Sequence, residues 1–218
     1  LFNDIKDFFR MFQTEETEVR LDKMELAAKM IEQSLGIDIA MDVVGSVNVG
    51  LSQPSSDVDF VLYMKCKNPC ANDLHECAEL GSVEEKLRQM LGSEFKFEII
   101  DCVNLNLVEQ SIREKNYECE LTQRFVAYRS ICRPINYRVI SPIEDLLNQD
   151  MEFRNELEGS IRSYFRIFAT TSQHVRSFDK YEHRLRSIGI KLPDSIRNKI
   201  RRYLQTETGP SRGKNEQS

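Results

Sequence analysis

The chain has 218 residues, 40% of them hydrophobic and 30% charged, with a net charge of −5. That is the composition of a globular chain able to bury a core, and it excludes fibrous and low-complexity classes. No stretch of about 18 apolar residues occurs, so no transmembrane helix is expected. Asp4, Lys6, Asp7 and Arg10 interrupt the apolar N-terminus, which argues against a secretory signal. The start at Leu1 rather than Met suggests a chain that was processed, trimmed or cut from a longer protein. The charge is uneven: residues 1–150 hold 16 Lys and Arg against 27 Asp and Glu, whereas 151–218 hold 14 against 8. A basic end on an acidic body fits either solvated helix faces or a surface for a polyanion or an acidic partner.

In chain order, Ile5, Phe8, Phe9 and Phe12 fall at roughly helical spacing over 1–12. Thr14, followed by Glu15 and Glu16, marks a helix start. Met24, Ala27, Ala28, Ile31 and Leu35 then predict an amphipathic helix over 15–35, ended by Gly36. Residues 37–44 alternate as a strand. Residues 46–56 predict a short helical turn and a loop, and Val58 to Met64 a second strand. A polar, cysteine-bearing connection covers 66–78. Val83, Leu87, Met90 and Leu91 predict the next helix, and 95–103 a third strand. Ser111 to Lys115 reads as a short helical step, and Tyr117 to Leu121 as a short strand or loop. From Pro142 the pattern is helical, with a last helix after Leu192-Pro193-Asp194. Residues 206–218 have the composition of a disordered tail. The expected class is α+β: a head of strands and helices over 1–140, a helical C-terminal region over 141–205, and the tail.

The informative segment runs from Gly45 to Phe60. Asp57 and Asp59 sit two apart at the start of a predicted strand, so both point to one face. Carboxylates that close repel each other unless a cation lies between them, and hard divalent cations choose oxygen. Upstream, Gly45 and Ser46 form a strand-to-helix junction, where backbone N–H groups and a small hydroxyl suit phosphate. Asp-x-Asp alone is also the ordinary polar face of an edge strand. With Gly-Ser twelve residues before it and an apolar strand on each side, it is a specific pattern.

Gly45-Ser46-x3-Gly50-x5-Ser56-Asp57-x-Asp59 resembles the nucleotidyltransferase superfamily that includes DNA polymerase beta, and most closely its minimal nucleotidyltransferases. The chain fills each position of that pattern. It departs at Val49, where minimal members often carry Arg. The resemblance covers about residues 25–120 and implies a small mixed sheet backed by helices, and a Mg²⁺-dependent enzyme that transfers an NMP from an NTP to a hydroxyl on RNA, a protein or a small molecule. It implies that Asp57 and Asp59 hold the metal, that Gly45, Ser46 and Ser56 contact the nucleotide, and that a third acid lies on a later strand. In Phe97-Glu98-Ile99-Ile100-Asp101-Cys102 that acid is Glu98, with Asp101 as the rival. The family usually has Asp there. On a regular strand Asp101 would face away from Glu98. A catalytically weak, nucleotide-binding regulatory module is the alternative function.

Cys66, Cys77, Cys102, Cys119 and Cys132, with Cys70, make six cysteines. A chain this long needs no disulfide framework, and reduced thiols in a cytoplasmic protein fit the absence of a secretory signal. Cys66-x3-Cys70-x4-His75-x-Cys77 offers zinc-type donors at a spacing that matches no standard pair, so either free thiols or a zinc site is open. Arg176-x6-His183 faintly resembles a helical ribonuclease motif, a pairing that chance also supplies. Arg197, Lys199, Arg201 and Arg202 make a basic last helix that is solvated, docks on the acidic body, or meets phosphate.

Overall fold

In a computed structural model the described residues are 3–66, 77–169 and 172–205. The protein is α+β. Helix α1 (Asn3–Arg10) buries Phe8 and Phe9. Helix α2 (Glu15–Leu35) begins where the Thr14 hydroxyl accepts from the Thr17 N–H, and ends where Gly36, at φ 62°, donates its N–H to Glu32 O. Strand β1 (Asp38–Val43) leads through the single-turn helix α3 (Gly45–Asn48) and a loop to strand β2 (Val58–Lys65). Helix α4 (Ala78–Leu91) connects to strand β3 (Phe97–Asn104). Then come α5 (Leu105–Arg113), α6 (Glu120–Ile131), β4 (Arg133–Ile135), α7 (Tyr137–Asn148), α8 (Met151–Ala169), α9 (Ser172–Ser187) and α10 (Asp194–Gln205).

The four strands form one mixed sheet in the order β3-β2-β1-β4. β1 is antiparallel to β2 and to β4, and β2 is parallel to β3. The central strands β1 and β2 are covered on both faces, which is why they read as near-continuous apolar runs. On one face Ile39, Met41, Val43, Phe60, Leu62 and Met64 pack against α2 and α4. On the other, Tyr63 meets Phe125 of α6 edge-to-face, and the Tyr63 hydroxyl donates to buried Asp42. Arg129 of α6 pairs with Asp42 and, at 2.7 Å, with Glu144. Burial pushes the Asp42 carboxyl up against the opposing pull of Arg129 and Tyr63.

Three segments differ from expectation. Helix α5 starts at Leu105, well before Ser111, because Asn104 caps it through a 3.0 Å bond from the Asn106 N–H. Residues 120 and 121 open helix α6 rather than a strand. Its buried residues, Thr122, Phe125, Val126 and Ala127, form no clean stripe, since Arg124 and Arg129 also turn inward to acids. β4 is three residues long and contains Pro134, tolerated because the strand is an edge.

The chain divides into two compact units, Leu1–Ile161 and Arg162–Ser218. The division after Ile161 places α7 and the first part of α8 in the first unit, with the sheet. Within the second unit Phe178, Leu185, Leu192 and Ile196 are buried, and Glu182 pairs with Arg186 and Arg197. No described helix is long and apolar enough to cross a membrane. The expected disordered tail, and Cys70 and His75 of the cysteine-bearing connection, lie outside the described residues.

Candidate functional site

The site forms where β1 ends and β2 and β3 begin. β1 and β2 run antiparallel with Val43 opposite Phe60, and the Val44 N–H donates to Asp59 O at 2.9 Å. One hydrogen bond therefore sets the Gly45–Ser46 corner beside the Asp57–Asp59 pair. Gly45 takes φ 61°, a left-handed value that a side chain would resist, and this turns the chain from β1 into α3. The first N–H groups of α3 have no acceptor within their own helix, as at any helix start. Ser46 is half-buried.

Asp59 lies directly opposite Glu98 in the parallel β2–β3 register, so the two side chains share a face. Asp57, one residue before β2, is near enough for its charge to act on Asp59. Burial raises the pKa of Asp59, and the charges of Glu98 and then Asp57 raise it further. Asp57 and Glu98 are exposed, Asp59 half-buried. The carboxylate oxygens of the three do not all lie within 4.8 Å of one another, a compactness that only Cys66, Cys77 and Glu79 reach among the described residues. Adjacent ligands of an octahedral Mg²⁺ at about 2.1 Å are about 3 Å apart, so the acids would have to draw closer to share one ion. Glu98 has the length and exposure to swing. The donor set, all carboxylate oxygen on an open face, fits a hard divalent cation.

Asp101 departs from the expectation of a regular strand. A bulge after Phe60 leaves Ile100 unpaired and sets Asp101 opposite Val61. Asp101 therefore shares the face of Glu98 instead of opposing it. Its oxygens are engaged: the Tyr128 hydroxyl donates to one at 2.9 Å, the Cys102 N–H to the other at 2.8 Å, and Arg124 pairs with it at 3.1 Å. Glu98 has the more open position of the two.

The loop between the corner and the acids is held by α2. The Thr14 N–H donates to Gly50 O at 3.0 Å, the Thr14 hydroxyl to Ser52 O at 2.9 Å, and the Ser52 N–H to the Thr17 hydroxyl at 3.1 Å. Arg20, 4% exposed, donates from one nitrogen to the carbonyls of Gln53, Pro54 and Ser56 at 3.0–3.1 Å. Its other terminal nitrogen holds Glu16 at 2.6 Å. Arg20 thus fixes the turn that delivers Asp57, a role the motif does not reveal. The available signal was position: Arg20 falls between Thr17 and Met24 on the core-facing stripe of α2, where a charge needs a reason. Gly50 has φ 75°, and a Cβ there would sit 2.0 Å from Phe12 O, so the second motif glycine serves close packing. The Ser56 hydroxyl accepts from the Gln53 N–H at 2.9 Å, which engages it in shaping its own turn.

A cavity of about 530 Å³ opens beside Glu98, lined also by Arg88, Lys96, Phe95 and Phe97. A second, of about 450 Å³, lies among α1, α6, α7 and the start of α8, and contains none of the motif residues. In the second unit His183 is exposed on α9, and Arg197 of α10 is engaged with Glu182 at 2.8 Å. No family model matches the chain, and no curated protein or solved structure matches it.

Proposed function

We propose that the protein is a Mg²⁺-dependent nucleotidyltransferase that moves an NMP from an NTP to a hydroxyl acceptor. The observation that carries this reading is the register: Asp59 opposite Glu98, with Asp57 close enough to act on Asp59 and the Gly45–Ser46 corner one hydrogen bond from Asp59. Asp57, Asp59 and Glu98 would hold the ion. A bound Mg²⁺ would supply charge to neutralise the carboxylates and polarise the phosphate oxygens. The Gly45–Ser46 corner receives the β- and γ-phosphates through backbone N–H groups and the Ser46 hydroxyl. Glu98, the longest of the three acids, stands beside the acceptor hydroxyl and takes its proton as that oxygen attacks the α-phosphorus. The bond between the α-phosphorus and the bridging oxygen breaks, and pyrophosphate leaves.

A second reading, a nucleotide-binding module with little turnover, is favoured by the open spread of the carboxylates and by Glu98 where the resembling family has Asp. Incubation with each labelled NTP, Mg²⁺ and RNA, protein or small hydroxylated acceptors separates the two. Transfer requires pyrophosphate release that disappears in Asp59→Asn. Mg²⁺-NTP binding without release supports the module, and absence of both binding and release defeats either reading.

A further inference from the structure

Cys66 and Cys77 are 11 positions apart in sequence, yet their sulfurs lie 3.7 Å from each other, both buried. The Glu79 carboxylate completes a group whose three donor atoms are all within 4.8 Å of one another. The elements explain the meeting. Cys66 follows the last residue of β2, and its carbonyl accepts from the Asn106 side chain at 2.8 Å. Cys77 is the N-cap residue of α4, a 14-residue helix, and Glu79 lies in that helix's first turn. The positive end of a helix stabilises a thiolate and the charge of a nearby acid.

The spacing has a specific meaning. Zinc binds thiolate sulfur at about 2.3 Å, and the edge of a tetrahedron drawn at that radius is about 3.8 Å. The observed separation matches that edge. It is far from a disulfide, in which the sulfurs approach to about 2.05 Å. Two sulfurs and one carboxylate make a soft-to-borderline donor set, unlike the all-oxygen face at Asp59, and such a set selects zinc over magnesium.

We infer that Cys66, Cys77 and Glu79 bind a zinc ion that ties the end of β2 to the start of α4. A fourth donor completes the tetrahedron. Both thiols give up their protons on binding, so each ion taken up releases two protons to the buffer. The ion closes the β2–α4 connection at its base and holds the strand that carries Asp59 against the helix packed beneath it. The inference stands apart from the nucleotidyltransferase reading, since it uses none of the same side chains.

The test uses the full chain, stripped with chelator under reducing conditions and titrated with cobalt(II) as a spectroscopic stand-in for zinc. The expected result is one sulfur-ligated ion per chain, with thiolate-to-cobalt charge-transfer bands and tetrahedral ligand-field bands, displaced by zinc. Cys66→Ser and Cys77→Ser should each weaken binding by at least about tenfold, the lower bound for disturbing a metal site. Glu79→Gln should weaken it while keeping the sulfur bands, and Asp59→Asn should leave both affinity and bands unchanged. If the cysteine variants do not fold, the wild-type chain still decides. Zinc must shield Cys66 and Cys77 from alkylation, and chelator must restore their reactivity. Octahedral cobalt bands without sulfur character, a Cys66–Cys77 disulfide as the resting state, or alkylation indifferent to zinc would each overturn the inference.

Discussion

Replacing Asp59 with Asn removes one negative charge and almost no volume from the face it shares with Glu98, near Asp57. The raised pKa of Asp59 means that the folded state holds its proton more tightly than the unfolded chain does. The charged form is therefore a cost to the fold, absent below the unfolded carboxylate range and complete once pH has risen past the folded value. Neighbouring strands stand about 5 Å apart, where two unit charges repel by about 1 kcal/mol in water-like screening and about 3 kcal/mol at an effective dielectric of 20. Because Asp57 and Glu98 are exposed, the lower figure applies. Asp59→Asn should thus gain about 1 kcal/mol at neutral pH in chelator, a rise of about 2–4 °C in melting temperature for a chain of this size. The gain should vanish in acid, where Asp59 is already protonated. Added Mg²⁺ should reverse the order, because on the proposed reading only the wild type keeps the full ligand set, whose occupancy would stabilise the native state. Thermal unfolding of both proteins, in chelator and across a Mg²⁺ series, reads the crossing directly. If the variant is no more stable in chelator, and Mg²⁺ raises both melting temperatures equally, the three acids do not converge and the proposed metal site is wrong.

Arg20→Ala should destabilise the protein by about 2–4 kcal/mol, because it removes charged donors from three carbonyls that water can only partly serve. Urea unfolding measures the loss, and limited proteolysis should cut first within 53–56, with Arg20→Lys recovering less than half of the stability. Gly50→Ala should cost more than about 2 kcal/mol, since it adds a left-handed penalty of roughly 1–2 kcal/mol to a clash with a backbone oxygen. A variant that unfolds at the wild-type urea midpoint would show that the α1–α2 junction can retreat from the loop.

Much of the sheet was legible because its signals are local. Thr14 and Gly36 bracket α2 in the sequence as they do in space, and the apolar runs at 38–43 and 58–65 are the two strands buried on both faces. The spacing of Asp57 and Asp59 put them at the start of a strand, and β2 begins at Val58 between them. What the sequence hid was set by distant partners. The bulge at Ile100 is a register event between β2 and β3, so nothing within 95–103 announces that Asp101 turns to the same side as Glu98. Helix α6 escaped notice because its polar residues do not all face water: Arg124 reaches Asp101 and Arg129 reaches Asp42. The Arg20 clamp joins residues more than thirty positions apart, and the Cys66–Cys77 approach depends on where β2 ends and α4 begins.

The motif divides by what each residue is asked to do. Gly50 answers to Phe12, Ser56 to the Gln53 backbone, and Gly45 to the turn out of β1. Those three shape the chain. Ser46, Asp57, Asp59 and Glu98 are set in place by the scaffold, with Asp57 and Glu98 exposed and Ser46 and Asp59 half-buried. The scaffold holds them from two directions: the sheet register sets Asp59 against Glu98, and Arg20 of α2 sets the turn before Asp57. An acidic face repels itself, and on the same face the fold pairs Asp101 with Arg124 and Tyr128. The Asp57–Asp59–Glu98 set gains no charged partner of that kind in the hydrogen bonds and ion pairs described above. Two neighbouring treatments of the same residue type on one sheet face, one paired and one left open with a raised Asp59 pKa, support the proposal that the open set takes a cation.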